Sequence, residues 1–152
     1  MMYLKHFGLS EAPFSITPDT SFYFASHSYQ EGLNTLLFAV LSGEGFIKIT
    51  GEVGTGKTLL CRKLMSSLDN SFKVAYVPNP YLEPQSLLMV LAQELGITLP
   101  DTVSQHALLT AITHGLLDFA RNEIKVVVCL DEVQAMPIET LEALRLLSNL
   151  ET

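Results

Sequence analysis

One eight-residue stretch, GEVGTGKT at 51–58, constrains this chain more than any other feature. It matches the pattern G-x-x-x-x-G-K-[ST], in which the glycines let the backbone curl so that successive N–H groups face a phosphate. The stretch follows a short apolar run at 46–50 and precedes a segment with helical spacing. A helix beginning there would direct the positive end of its dipole at the same anion. The sequence therefore predicts a phosphate-binding loop between a strand and a helix.

The positions of this loop have distinct expected roles. Lys57 would reach the β- and γ-phosphates of a nucleotide, and the Thr58 hydroxyl would ligate Mg²⁺. Leu59 occupies the place where a G-x-G-x-x-G dinucleotide motif needs its third glycine, so that alternative fails. The candidate nucleotide-binding residues are the loop and the start of the following helix: Gly51, Glu52, Val53, Gly54, Thr55, Gly56, Lys57, Thr58 and Leu59.

A second motif is a pair of acids after an apolar run. Residues 125–130 read KVVVCL and are followed by Asp131 and Glu132. An Asp at such a strand end holds Mg²⁺ in phosphate-loop enzymes, and an adjacent Glu can act as a general base on water. The acid pair alone is a weak signal, but with the upstream loop it favours ATP hydrolysis over a GTPase switch or a small-molecule kinase.

Strand-like and helix-like segments alternate along the chain. The predicted strands are 46–50, 73–77 and 125–130, and the last is a β-branched run typical of a central parallel strand buried on both faces. The predicted helices are 29–41, capped by Ser26 or Ser28, then 57–68, 85–95, 105–122 and 138–150. This alternation predicts an α/β fold with a parallel sheet. Residues 1–24, rich in aromatics, are expected to form an irregular arm that packs through those rings.

Composition removes several classes of protein. With 48% hydrophobic and 16% charged residues, the chain is too apolar for intrinsic disorder. Its apolar windows are too short for a membrane span, and no secretory signal is visible. The net charge of −7 disfavours binding to a nucleic-acid backbone. Cys61 and Cys129 give neither a disulfide framework nor a metal-ligand spacing, so both are predicted to be buried thiols.

Several segments together resemble a known family. They are FGL at 7–9, PF at 13–14, PD at 18–19, the loop at 50–58, DEVQ at 131–134 and LEALRLLSNLET at 141–152. They resemble the AAA+ ATPases of the general secretion pathway protein A type. PNPYL at 78–82 is similar to the members that serve biogenesis of the mannose-sensitive haemagglutinin (MSHA) type IV pilus. The resemblance covers essentially the whole chain.

The resemblance implies a bacterial cytoplasmic ATPase, at most peripheral to the inner membrane, that uses ATP and Mg²⁺. It implies a homo-oligomer, a ring or partial ring at full length, that acts with pilus or secretion assembly proteins, and no direct nucleic-acid partner. The expected fold is the three-layer P-loop NTPase (AAA+) core, truncated before the sensor strand and lid. The expected division is an aromatic arm at 1–28 and a partial core at 29–152.

Some roles stay open at this point. Residues 14–24 would either contact adenine or only pack. Asn79 would either hold Glu132 inactive until a partner arrives or simply form a turn, and Arg145 is expected to be a solvated charge. The apolar stripe at 138–150 is expected to be exposed and to favour self-association. Two other functions remain: a nucleotide-sensing scaffold that binds ATP without turnover, and a transposition-type ATPase adaptor, which would bind DNA.

Overall fold

The protein is described by a computed structural model that covers residues 2–13, 24, 26–99 and 104–148. The chain divides into two compact units, Met1–Ser66 and Ser67–Thr152. The elements, in chain order, are α1 (Met2–Phe7), α2 (His27–Leu41), α3 (Lys57–Ser67), β1 (Phe72–Val77), α4 (Pro84–Leu95), α5 (Gln105–Arg121), β2 (Lys125–Leu130), a 3-10 helix (Val133–Ala135) and α6 (Ile138–Ser148).

Helices α2 and α3 build the first unit. The Ser26 hydroxyl accepts a hydrogen bond from the Tyr29 N–H at 3.4 Å, which confirms the predicted cap of α2. The buried side chains of the two helices are apolar and are Leu33, Leu36, Val40 and Leu64. A Cβ built on Gly32 would lie 3.9 Å from Leu60 Cδ2, so the two helices pack closely at this glycine.

Two predictions for the first unit are wrong. Among the described residues, 46–50 belong to no strand, and Phe46 and Ile47 are exposed. A strand needs a partner for its backbone groups, and both strands of the described sheet lie in the second unit. The N-terminal arm begins with a helix, α1, rather than irregular chain. Phe7 and Phe24 are 69% and 84% exposed, so these two rings do not anchor it; residues 14–23 lie outside the described ranges.

The second unit is organised around α4. Strands β1 and β2 pair in parallel, from Phe72↔Lys125 to Val77↔Leu130. Pro84 begins α4, and Gly96 ends it in the left-handed conformation at φ 70°, as the sequence predicts. One side of α4 packs with β1 and α6 in a cluster of Ala75, Val77, Leu87, Leu91, Leu95 and Leu144. The other side packs on α5 in a cluster of Leu88, Ala92, Leu108 and Ile112.

The more buried strand is β1, not β2. Ala75 and Val77 are almost completely buried, whereas Val128 on β2 is 38% exposed. The prediction that 125–130 is buried on both faces is therefore wrong. Its β-branched residues pair with β1 along one edge, and the described residues place no further strand on the other edge. Cys129 is buried, as predicted, and Cys61 is half-buried.

Helix α6 carries apolar side chains on faces that the second unit does not bury. Leu144 joins the core, and Thr140 is completely buried with its hydroxyl donating to the Leu82 carbonyl at 2.6 Å. Ile138, Leu141 and Leu146 are exposed, so the expected exposed apolar surface is present over the described part of this helix. Within the described residues, no helix is long and apolar enough to cross a membrane.

Candidate functional site

Glycines give the phosphate loop its curl. Gly54 and Gly56 have φ values of 81° and 85°, which L side chains rarely adopt. A Cβ on Gly51 would lie 2.9 Å from Thr55 Oγ1, so a side chain there would force the Thr55 hydroxyl to shift. That hydroxyl donates to the Glu52 carbonyl at 2.8 Å. A side chain at residue 51 would therefore disturb a bond that closes the loop.

Lys57 begins α3 and folds back over the loop. Its Nζ donates to the carbonyls of Gly51 at 2.8 Å and Glu52 at 2.7 Å. The Leu60 N–H makes an early helical bond, to the Gly56 carbonyl at 2.9 Å. The first N–H groups of a helix point out of its N-terminus, which is the usual source of anion binding at a helix start. The arrangement therefore joins an ammonium group to a helix N-terminus at one loop.

Sequence reasoning missed a residue behind the loop. The position of a Cβ on Gly56 lies 3.6 Å from Tyr29 Cε2, so the Tyr29 ring of α2 lies against the loop. The signal was available, because Tyr29 precedes Leu33, Leu36 and Val40 at spacings of one helix face. A side chain at residue 56 would therefore need a disfavoured φ, and its Cβ would be in van der Waals contact with this ring.

The acid pair follows β2 directly. The Asp131 N–H donates to the Val77 carbonyl at 3.0 Å, so the strand ladder extends to the first acid. The Tyr76 hydroxyl donates to Asp131 Oδ2 at 3.4 Å, and the Glu132 N–H donates to Asp131 Oδ1 at 3.0 Å. Asp131 is half-buried, and its carboxylate accepts hydrogen bonds from a side chain of β1 and from the backbone of the next residue. Tyr76 is a second residue that sequence reasoning missed.

Glu132 has an unusual backbone. Its φ of 52° and ψ of 36° lie in the left-handed region, which is uncommon outside glycine, asparagine and aspartate. Its exposed carboxylate accepts a hydrogen bond at Oε2 from the Gln134 side-chain amide. Non-glycine residues in such sparsely populated conformations cluster at functional sites, and Glu132 is the candidate general base.

Asn79 lies in the loop that follows β1. Because β1 and β2 are parallel and in register, Asn79 and the acid pair follow the strands at the same edge of the sheet. The Asn79 side-chain oxygen accepts from the Tyr81 N–H at 3.2 Å, which closes a local turn. Within the described residues, Asn79 makes no hydrogen bond to Glu132. Of the two roles that the sequence left open for Asn79, the structure shows the turn role.

The two motifs lie in different units: the loop at 51–58 in the first, and Asp131 and Glu132 in the second. The described residues contain no group of three or more His, Cys, Asp or Glu side chains suited to a metal ion. A hydroxyl, one carboxylate, water and nucleotide phosphates are a donor set that suits Mg²⁺, which keeps several waters and rarely uses an all-protein cage. The Thr58 hydroxyl in the first unit and the Asp131 carboxylate in the second are each donors of the kind that Mg²⁺ takes.

A cavity of about 520 Å³ lies elsewhere in the second unit, and none of the predicted site residues lines it. Its walls come from the α4–α5 connection and from α5, and include Ile97, His114 and Asp118. The adenine candidates at 14–23 lie outside the described residues.

Comparison with known proteins identifies the family to which this chain belongs. Residues 40–152 match a family described as an AAA domain, and this match covers most of the chain. The chain therefore belongs to the AAA domain family, which confirms the predicted α/β P-loop fold. It is also similar to General secretion pathway protein A of Aeromonas hydrophila, with 38% identity over 151 residues, which is 99% of this chain and 28% of that protein. The chain thus spans less than a third of the length of this relative. No solved structure gives a significant match.

Proposed function

We propose that this chain is the nucleotide-binding core of an AAA ATPase that hydrolyses ATP with Mg²⁺. The observation that carries the proposal is the glycine loop at 51–56, which leads directly into α3 with the Lys57 ammonium folded over it. Loops of this form bind nucleotide phosphates through backbone N–H groups and the lysine. Membership of the AAA domain family supports the same activity.

Each predicted site residue has a role in this proposal. Residues 51–59 hold the phosphates, with Lys57 at the β- and γ-phosphates. Thr58 and Asp131 hold Mg²⁺, which neutralises charge that develops on the phosphate oxygens. Glu132 takes a proton from the attacking water, and Asn79 would hold Glu132 inactive until a partner arrives. Residues 14–24 are the candidates for contact with adenine.

The biological setting proposed here rests on the secretion relative. General secretion pathway protein A is named for secretion, and this chain matches 28% of it. We propose that the whole protein works in the cytoplasm at the inner membrane, as a homo-oligomeric ring or partial ring. It would support assembly of a secretion apparatus or a type IV pilus, and more specifically the MSHA pilus. Within the chain, 1–28 would be an arm and 29–152 the partial ATPase core.

ATP binding tests the site, and Lys57→Ala is the variant that addresses it. We expect the natural full-length protein to bind ATP–Mg²⁺ and the variant to lose at least tenfold in affinity, about 1.4 kcal/mol or more, because a charge on the phosphates is removed. Lys48→Ala is the matched control, an exposed lysine just before the loop, and should bind normally. Normal ATP affinity in Lys57→Ala would show that the phosphate site is assigned wrongly.

Turnover separates ATP hydrolysis from a scaffold, and DNA binding tests the adaptor. A nucleotide-sensing scaffold would bind ATP but release no phosphate at steady state. A transposition-type ATPase adaptor would bind duplex DNA in a titration at low salt, which the net charge of −7 opposes. We expect phosphate release and no DNA binding.

A further inference from the structure

The only side chain that donates a hydrogen bond to the Glu132 carboxylate, within the described residues, belongs to Gln134. The Gln134 Nε2 donates to Glu132 Oε2. We propose that Gln134 is a positioning residue that orients the Glu132 carboxylate for its action as general base. The inference rests on the proposed function, because an oriented base matters only if this protein hydrolyses ATP.

The backbone fixes both partners of this contact. Glu132 is in the left-handed conformation, and Gln134 is the middle residue of the 3-10 helix at 133–135. That helix is closed by the Ala135 N–H donating to the Glu132 carbonyl at 2.9 Å and by the Met136 N–H donating to the Val133 carbonyl at 3.0 Å. Both side chains are exposed, so packing does not hold them. The turn itself brings the amide to the carboxylate.

One oxygen of the carboxylate is left for chemistry. Gln134 occupies Oε2, and no described residue donates to Oε1. In hydrolysis the water oxygen bonds to the γ-phosphorus, its proton passes to Oε1, and the bond from that phosphorus to the ADP oxygen breaks. A carboxylate fixed at one oxygen presents the other in a constant direction, which is the requirement for a general base. An amide does this without bringing a positive charge.

The other amide side chain at this edge of the sheet does not share the role. The Asn79 oxygen accepts from the Tyr81 N–H in its own turn. Asn79 was the residue that the sequence suggested for control of Glu132, whereas the contact observed is with Gln134.

The test is steady-state ATP hydrolysis by the natural full-length protein. Gln134→Met keeps the length of the side chain and removes the donor, and we expect kcat to fall about tenfold with KM within about twofold. Gln134→Lys keeps a donor but brings a positive charge that makes Glu132 a weaker base, so its kcat should lie between those of Gln134→Met and the wild type. Gln134→Glu places one carboxylate against another and should lose more than Gln134→Met. The matched control is Gln93→Leu, at an exposed glutamine of α4, with no change expected.

The outcomes distinguish this inference from the proposed function. If the wild-type protein hydrolyses ATP and Gln134→Met has an unchanged or raised kcat, the positioning role is overturned while the ATPase stands. A rise would mean that Gln134 restrains the base. If Gln134→Met and Gln134→Lys lose kcat and stability equally, the residue is merely structural and the inference also fails. If the wild-type protein releases no phosphate, the proposed function fails first, and the inference with it.

Discussion

The two ends of the described two-stranded sheet differ in what their turns do. The turns that precede the strands are closed by hydrogen bonds between residues close in sequence. Asp69 Oδ1 accepts from both the N–H and the hydroxyl of Ser71 before β1. Before β2, the Ile124 N–H donates to the Phe119 carbonyl at 2.9 Å, as expected where a helix ends. These turns satisfy their own polar groups and present no candidate site residue.

The turns that follow the strands carry the candidate chemistry. Asn79 comes after β1, and Asp131 and Glu132 come directly after β2. Carboxylates at this end of a parallel sheet lie where ligands bind in open α/β folds. The sheet is therefore asymmetric: one end only joins elements, and the other carries the candidate site residues.

Each end of the sheet has one glutamate with a left-handed backbone. Glu123 has φ 57° before β2, and Glu132 has φ 52° after it. Glu123 immediately follows the end of α5, where this conformation is common and glycine is the usual residue. Glu132 ends no helix, and its side chain is held by Gln134. The same backbone conformation therefore has a structural explanation at one end and calls for a functional one at the other.

The largest expected effect is on turnover. Glu132→Gln should lower kcat for ATP hydrolysis by about 10²- to 10⁴-fold and leave ATP binding intact, because the amide cannot take a proton from water. Glu123→Gln is the matched control and should leave kcat within about twofold. The measurement is steady-state phosphate release with ATP affinity measured in parallel. If both variants hydrolyse ATP equally well, the contrast between the two ends of the sheet has no catalytic meaning.

A smaller effect is expected on stability at Glu123. Glu123→Gly should raise the free energy of unfolding by about 1 kcal/mol, because glycine adopts this φ without steric cost. Glu139→Gly is the control, since Glu139 is in the first turn of α6, and it should lower stability by up to about 1 kcal/mol. Urea unfolding measures both. If Glu123→Gly is less stable than the wild type, the Glu123 side chain stabilises the fold by more than its left-handed backbone destabilises it.

Local signals made much of this fold predictable. Ser26, Pro84, Gly96 and Ser104 lie at helix ends, and their caps depend on neighbours in sequence. The apolar run at 46–50 failed as a strand because pairing depends on a distant partner that sequence spacing does not reveal.

The sequence likewise predicted one part of the candidate site and missed another. The loop and the acid pair were found because their chemistry requires residue types at fixed spacing. The Gln134 contact lies only two residues from Glu132, yet it depends on a left-handed backbone at a glutamate, for which sequence gives no signal. Tyr76 was missed for another reason: its hydroxyl reaches Asp131 across the pairing of β1 with β2.

The smallest expected effect is at the turn before β1. The pKa of Asp69 is lowered by the hydrogen bond from the Ser71 hydroxyl and then by that from the Ser71 N–H. A lowered pKa means that the folded state favours the ionised carboxylate, so Asp69 adds stability above its unfolded pKa and loses it as the pH falls through the folded value. Asp69→Asn should therefore slightly lower the urea concentration at the unfolding midpoint at about pH 7, and the difference should disappear as the pH falls through the folded pKa of Asp69. The side chain is exposed, so the effect should be smaller than that of Glu123→Gly.

Ser71→Ala separates the two causes of this shift, because it removes the hydroxyl and keeps the backbone N–H. It should weaken the pH dependence without abolishing it, since the hydroxyl is the larger cause and the bond from the Ser71 N–H remains. Neither variant should change kcat, because this turn lies at the end of the sheet away from the acid pair. A loss of turnover in Asp69→Asn, with stability unchanged, would contradict the separation of roles between the two ends of the sheet.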